Sequence, residues 1–127
     1  MKFIFEEAIV PNDEMMDLAA KLKEKYRLIL LSNNNHPTIN ILRQKHQQMF
    51  ALFEKVYLSA ELKIRKPDQK FFDFVIKDSG LKPEECLFID DKEKNIRASE
   101  SAGMKGIVFE SISQFKKELS AYDINVE

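Results

Sequence analysis

The chain has 127 residues, enough for one domain with its own hydrophobic core and too few for two ordinary domains. Its 20 basic and 21 acidic residues are spread along the sequence and give a net charge of −1, which excludes the electrostatic footprint expected for binding nucleic acid or an anionic membrane. Cys86 is the single cysteine, no apolar run approaches membrane-spanning length, and the start lacks a signal segment. We therefore expect a single cytoplasmic domain over residues 1–127.

Helical and strand patterns alternate in the first half of the sequence. The predicted elements are, in chain order, a helix capped by Asn12 or Asp13 that runs to Lys25, a strand over 28–31, a helix that follows a turn at 36–38 and extends toward Met49, and a strand over 56–58. Each strand is followed by a helix. The order therefore indicates crossover connections between parallel strands.

The second half continues this alternation. Here the predicted elements are a helix with Pro67 in its first turn and Gly80 as its left-handed cap, a strand over 87–89, a helix over 93–102 closed by Gly103, a strand over 106–109, and a last helix that begins near Ser111 with Gln114 completing a capping box. The whole pattern predicts an α/β fold with a mainly parallel sheet covered by helices on both faces, a three-layer α/β/α sandwich.

Polar residues follow two of the predicted strands directly. Ser32 and Asn33 end one apolar run, and Asp90 and Asp91 end another. Because ligands of open α/β sheets bind beyond the carboxyl ends of parallel strands, these groups should meet at one edge. Adjacent carboxylates repel each other unless a cation neutralises them, and Mg²⁺ prefers carboxylate oxygens and water as ligands. A hydroxyl, backbone amides and the ammonium of Lys66 are suitable partners for a phosphate. The sequence therefore predicts a magnesium-assisted phosphate site.

These residues occur in an order that resembles a known family. Ser32-Asn33, Lys66-Pro67 and Asp90-Asp91, with Asn95 downstream, are similar to the second, third and fourth motifs of the haloacid dehalogenase superfamily, over roughly residues 11–110. The resemblance implies a Rossmann-like sheet with the strand order third, second, first, fourth, fifth. It also implies phosphoryl transfer through a phosphoaspartate, with Mg²⁺ as the cofactor.

The resemblance also implies roles for single residues. Lys66 and Asp90 would be the catalytic residues that this chain carries, with Asp90 binding Mg²⁺ and Asp91 as its second or water-mediated ligand. Lys66 would also bind the phosphate, together with the hydroxyl of Ser32 and the backbone amide of Asn33. The alternatives are structural: acids at a helix N-terminus, one lysine among many, and a turn at a strand end. For Asn95, orientation of a carboxylate and a solvated helix position both stay open.

The first motif of the family, an apolar strand that ends in Asp-x-Asp, is absent from the sequence. Its nearest counterpart is the stretch Met1–Ala8, which would place Glu6 at the nucleophile position and Ala8 at the acid position. Residues 1–11 are therefore either a degenerate first strand or the remnant of a cap domain. We favour the cap remnant, which leaves an incomplete core and predicts an in-frame Asp-x-Asp upstream of Met1.

The expected function is hydrolysis of a small phosphorylated metabolite by the complete protein. The chain alone should be inactive because the nucleophilic aspartate is missing. A non-catalytic pseudo-enzyme that acts as a binding or interaction domain is one alternative, and a hydrolase of the dehalogenase branch is another. An unfilled slot in the sheet would also offer a surface through which two copies could form a homodimer.

Overall fold

The computed structural model describes residues 2–6, 12–34 and 36–126. Its sheet has five strands, which pair in parallel in the order β3-β2-β1-β4-β5. The strands are β1 (Lys2–Glu6), β2 (Arg27–Ser32), β3 (Lys55–Leu58), β4 (Cys86–Asp90) and β5 (Lys105–Val108). The predicted α/β class and the strand order are confirmed.

Helices connect the strands and cover the sheet. They are α1 (Asp13–Lys23), α2 (His36–Lys45), α3 (Gln47–Phe50), α4 (Ser59–Leu62), α5 (Gln69–Ser79), α6 (Glu93–Ser101) and α7 (Ile112–Ser120), with a 3₁₀ turn at Pro83–Glu85. Two predicted caps are confirmed: the Asn12 side chain accepts hydrogen bonds at the start of α1, and Ser111 and Gln114 form a capping box at the start of α7. Within the described part of the chain, no helix has the length and apolarity needed to cross a membrane.

Alternating side chains of the strands pack into two cores, one on each face of the sheet. Phe3 and Phe5 of β1 belong to the core shared with α1 and α7, whereas Ile4 belongs to the core shared with α5 and α6. The neighbouring strands β2 and β4 divide their apolar residues in the same way. Strands buried on both faces read as continuous apolar runs, as the sequence pattern indicated.

The central strand of the sheet is formed by Lys2–Glu6. It pairs with β2 on one side and β4 on the other, and Phe3, Ile4 and Phe5 are completely buried. For these residues the structure therefore has the degenerate first strand, not the cap remnant that we favoured. The physical reason is that this apolar stretch satisfies the backbone hydrogen bonds of both neighbouring strands, which an empty slot would leave unpaired. Residues 7–11, which include Ala8, lie outside the described ranges.

Three local predictions differ from the structure. Pro67 is not in the first turn of α5, because Asp68 caps that helix and its side chain accepts from the Lys70 N–H at 3.0 Å. The helix α2 ends at Lys45 and Met49 belongs to the separate helix α3, since the backbone of His46 between them is not helical. The helix α4 and the 3₁₀ turn were missed because single turns are too short to show a periodic pattern.

Candidate active site

Three strands bring their carboxyl ends to one edge of the sheet. Ser32 is the last residue of β2 and Asp90 the last residue of β4, and these strands lie on either side of β1, which ends at Glu6. Ser32 and Asp90 are both completely buried. The Ser32 Oγ accepts a hydrogen bond from the Asn34 N–H at 3.0 Å, which fixes the turn that follows β2.

The lysine of the third motif reaches this edge from the loop between α4 and α5. The side-chain amide of Asn33 holds its backbone from both sides: Oδ1 accepts from the Lys66 N–H at 3.0 Å, and Nδ2 donates to the Lys66 carbonyl at 3.2 Å. The second and third motifs are therefore joined directly. This side-chain role of Asn33 was not predicted, since the resemblance implied only a role for its backbone amide.

A buried ion pair joins the third motif to the fourth. The Nζ of Lys66 lies 3.8 Å from Oδ2 of Asp90, and both side chains have no exposed surface. The Asp90 carboxylate also accepts from the Lys92 N–H at 2.9 Å on Oδ1 and from Nδ2 of Asn95 at 2.7 Å on Oδ2. Such charge-assisted contacts offset the cost of removing a carboxylate from water.

Burial nevertheless raises the pKa of the Asp90 carboxyl from its ordinary value of 3.8 to about 6. The Lys92 N–H, the Lys66 ammonium and the Asn95 amide act in the opposite direction, and the hydrogen bond that a protonated Asp90 donates to the neighbouring Asp91 carboxylate raises this pKa further. The positive charge and hydrogen bonds around Asp90 therefore do not fully balance its desolvation. An additional cation at this position would favour the ionised carboxylate.

The sequence-predicted site residues are thus linked in space. Contacts run from Asn33, which follows Ser32 in the chain, to Lys66 and on to Asp90, while Asp91 is next to Asp90 and is exposed. The roles assigned to these residues stay predictions. The open question about Asn95 is answered by geometry: it is 4% exposed and its amide contacts Asp90, so it is not a solvated helix position. Its position one helical turn beyond Asp91 is the sequence signal for that role.

The donor set fits a hard divalent cation. In the described ranges no three His, Cys, Asp or Glu side chains cluster to hold a metal by themselves. Mg²⁺ does not require such a cage, because it usually keeps several waters and binds one or two carboxylates together with substrate phosphates. In this chain Asp90 and Asp91 would be those carboxylates. The buried Oδ1 of Asn95, which accepts no hydrogen bond from the described residues, offers a further acceptor near Asp90, of the kind that could take a hydrogen bond from a coordinated water.

One of the larger surface clefts among the described residues touches the site. A cleft of about 650 Å³ is bordered by Asp91 together with the starts of α1 and α7. Another, of about 680 Å³, runs along β3 and is lined by none of the predicted site residues. The first cleft therefore gives solvent and solutes access to the fourth motif at Asp91.

Comparison with known proteins agrees with this arrangement. The family model described as haloacid dehalogenase-like hydrolase matches residues 2–103. The chain belongs to this family. The match begins at β1 and extends past α6, so it includes all three motifs whose side chains meet at the sheet edge.

Several relatives of this haloacid dehalogenase-like chain are phosphatases. It is 32% identical over 98 residues to the sesquiterpene phosphatase AstK of Aspergillus oryzae, covering 76% of this chain and 50% of the relative. It is 31% identical over 110 residues to the D-ribitol-5-phosphate phosphatase of Bacteroides thetaiotaomicron, covering 83% and 53%. The chain thus spans about half the length of these two curated relatives, and 18% of a third, a drimenol cyclase of Aspergillus calidoustus.

A solved structure adds a ligand to the comparison. A HAD family enzyme from Bacteroides thetaiotaomicron, in complex with magnesium and inorganic phosphate, superimposes with a TM-score of 0.72 at 32% identity over 82% of this chain and 57% of that one. The chain is therefore similar in sequence and in fold to a family member that binds both magnesium and phosphate.

Proposed function

We propose that this chain carries the phosphate- and magnesium-binding part of a phosphomonoester hydrolase that acts on a small phosphorylated metabolite. The single observation that carries the proposal is the buried contact between Lys66 and Asp90, which brings an ammonium suited to a phosphate and a carboxylate suited to Mg²⁺ to one sheet edge. The phosphatases among its relatives, and the magnesium and phosphate in a related structure, support it.

Each residue has a distinct task in this proposal. The Ser32 hydroxyl and the Asn33 backbone N–H donate hydrogen bonds to phosphate oxygens, and the Lys66 ammonium offsets the charge of the phosphoryl group. Asp90 and Asp91 hold Mg²⁺, while Asn95 orients the Asp90 carboxylate. Mg²⁺, when bound, would supply Lewis-acid polarisation of the phosphoryl oxygens.

The chain by itself should turn over little or no substrate. The sequence has no Asp-x-Asp, and the strand at the corresponding position ends at Glu6. A core without a nucleophile can still bind, because Ser32, Lys66 and Asp90 do not depend on that motif for their own contacts. The missing motif also favours a second candidate, a non-catalytic domain that binds a phosphorylated ligand. The pair Asp90-Asp91 disfavours the dehalogenase branch, whose members typically have Ser-Ser-Asn in place of the paired acids.

The test combines turnover with binding. Hydrolysis of an aryl phosphate is measured with Mg²⁺ and with chelator, and binding of inorganic phosphate is measured by calorimetry, for the wild type and for Lys66→Ala and Asp90→Ala. The control is Lys70→Ala, the loss of an exposed lysine on α5. Mg²⁺-dependent phosphate binding that needs Lys66 and Asp90 supports the proposal, with turnover identifying an enzyme and its absence a binding domain. A folded wild type that neither hydrolyses the aryl phosphate nor binds inorganic phosphate would overturn both the hydrolase and the binding domain.

A homodimer would have to form through a different surface from the one expected. Dimerisation was expected through an unfilled slot in the sheet, and β1 occupies that slot. Sedimentation of the purified chain would decide whether two copies associate through any other surface.

A further inference from the structure

The amide of Asn33 has an unusual partner, the backbone of a residue 33 positions away. Its Oδ1 accepts from the Lys66 N–H at 3.0 Å and its Nδ2 donates to the Lys66 carbonyl at 3.2 Å. One side chain thereby occupies both backbone groups of a single residue, as a neighbouring strand would. A primary amide can do this because it carries a donor and an acceptor in one plane.

The contact matters because of where Lys66 lies. The residue belongs to the loop between α4 and α5, outside every helix and strand. A lysine side chain has four rotatable bonds, so the position of its ammonium depends on a fixed backbone as well as on packing. Here that ammonium is fully buried 3.8 Å from Asp90, where small displacements change the electrostatic interaction strongly.

We propose that Asn33 is a positioning residue for the phosphate site: its side chain fixes the backbone of Lys66, so that the ammonium reaches Asp90 and the bound phosphate together. The inference rests on the proposed function and assigns Asn33 a task beyond its backbone amide. It also accounts for the residue type. Aspartate would lack the donor, an aliphatic residue would lack both groups, and glutamine would place its amide one methylene too far out.

A double-mutant cycle tests this coupling. Asn33→Ala, Lys66→Gln and the double variant are compared with the wild type by calorimetric titration with inorganic phosphate in the presence of Mg²⁺, and by urea unfolding without ligand. We expect Asn33→Ala to weaken phosphate binding about tenfold, the lower end of the range for residues that orient a ligand-binding group. In the Lys66→Gln background the same substitution should change phosphate binding much less, because no ammonium is left to position, whereas the two hydrogen bonds to the backbone of residue 66 are lost in both backgrounds and their cost appears in both unfolding measurements. The control is Asn40→Ala, the same substitution at an exposed position of α2.

The possible results separate this inference from the proposed function. Additive effects of the two substitutions on phosphate binding would overturn the positioning role, since the effect of a purely structural residue or of a direct phosphate contact does not depend on the Lys66 ammonium. If the wild type fails to bind inorganic phosphate, the proposed function fails, and hydrogen exchange of the Lys66 N–H decides for or against the contact made by Asn33.

Hydrogen exchange covers the case in which a Lys66 variant does not fold. The Lys66 backbone N–H should exchange faster in Asn33→Ala than in the wild type, and Asn33→Asp, which keeps the acceptor oxygen, should retain most of the protection. Equal protection of this N–H in the wild type and in Asn33→Ala would refute the hydrogen bond between the Lys66 N–H and the Asn33 side chain.

Discussion

The raised pKa of Asp90 makes the stability of the metal-free protein depend on pH in a defined direction. The carboxyl has a pKa of about 6 in the folded chain against an ordinary value of 3.8. Between these two values the folded state keeps a proton that the unfolded state has lost. The stabilising contribution is therefore complete below about pH 4 and is lost as the pH rises through 6. A pKa difference of about two corresponds to about 3 kcal/mol of unfolding free energy.

The substitution Asp90→Asn isolates this contribution because it removes the titrating group. Urea unfolding of the wild type and the variant, in the presence of chelator, gives the difference in unfolding free energy at each pH. The unfolding free energy of the wild type minus that of the variant should fall by about 2.5 kcal/mol from pH 4 to pH 7. Asp73→Asn, at an exposed position of α5, is the control and should leave the profile of the wild type nearly unchanged. A difference that is flat, or that rises with pH, would refute the assignment of a desolvated carboxyl.

Three further substitutions test single contacts. Asn95→Ala removes a hydrogen bond that favours the ionised Asp90, so the pH transition described above should move to higher pH in the same unfolding assay. Gly106→Ala should destabilise the fold by about 1–3 kcal/mol in urea unfolding, because a Cβ there would lie 2.6 Å from Cγ2 of Ile96, and an added Ile96→Ala should relieve that clash. Ser111→Ala breaks the capping box of α7 and should cost about 1 kcal/mol by thermal unfolding, whereas Ser111→Thr keeps a capping hydroxyl and should retain most of the stability.

The sequence predicted most of the fold because the strands of this protein carry their own signal. Apolar runs such as 87–89 are buried on both faces, and the caps at Asn12 and Ser111 belong to short-range patterns. The first strand was harder to predict. Phe3-Ile4-Phe5 fits a buried strand and a cap remnant equally well by periodicity, and only pairing with β2 and β4, a long-range property, distinguishes them.

The site was predictable as a set of residues and less so as a set of contacts. The polar residues at two strand ends identified one edge of the sheet, and Lys66 was placed there by its resemblance to a family motif. Which atoms meet depends on loops that have no periodic pattern. The Asn33 amide is close to Lys66 because the loop before α5 passes the end of β2, and local sequence does not encode that approach.

The Lys66–Asp90 contact has a consequence for the way the two proposed ligands bind. A phosphate that approaches Lys66 competes with Asp90 for the same ammonium, and a carboxylate left unpaired in a buried site is costly. A divalent cation on Asp90 removes that competition by taking over the neutralisation of the carboxylate. Mg²⁺ and phosphate should therefore bind cooperatively, each raising the affinity for the other by the same factor. Titration of inorganic phosphate at several Mg²⁺ concentrations, and the reverse titration, measures both factors. Independent binding of the two ligands would show that Lys66 serves Asp90 alone and that the phosphate lies elsewhere.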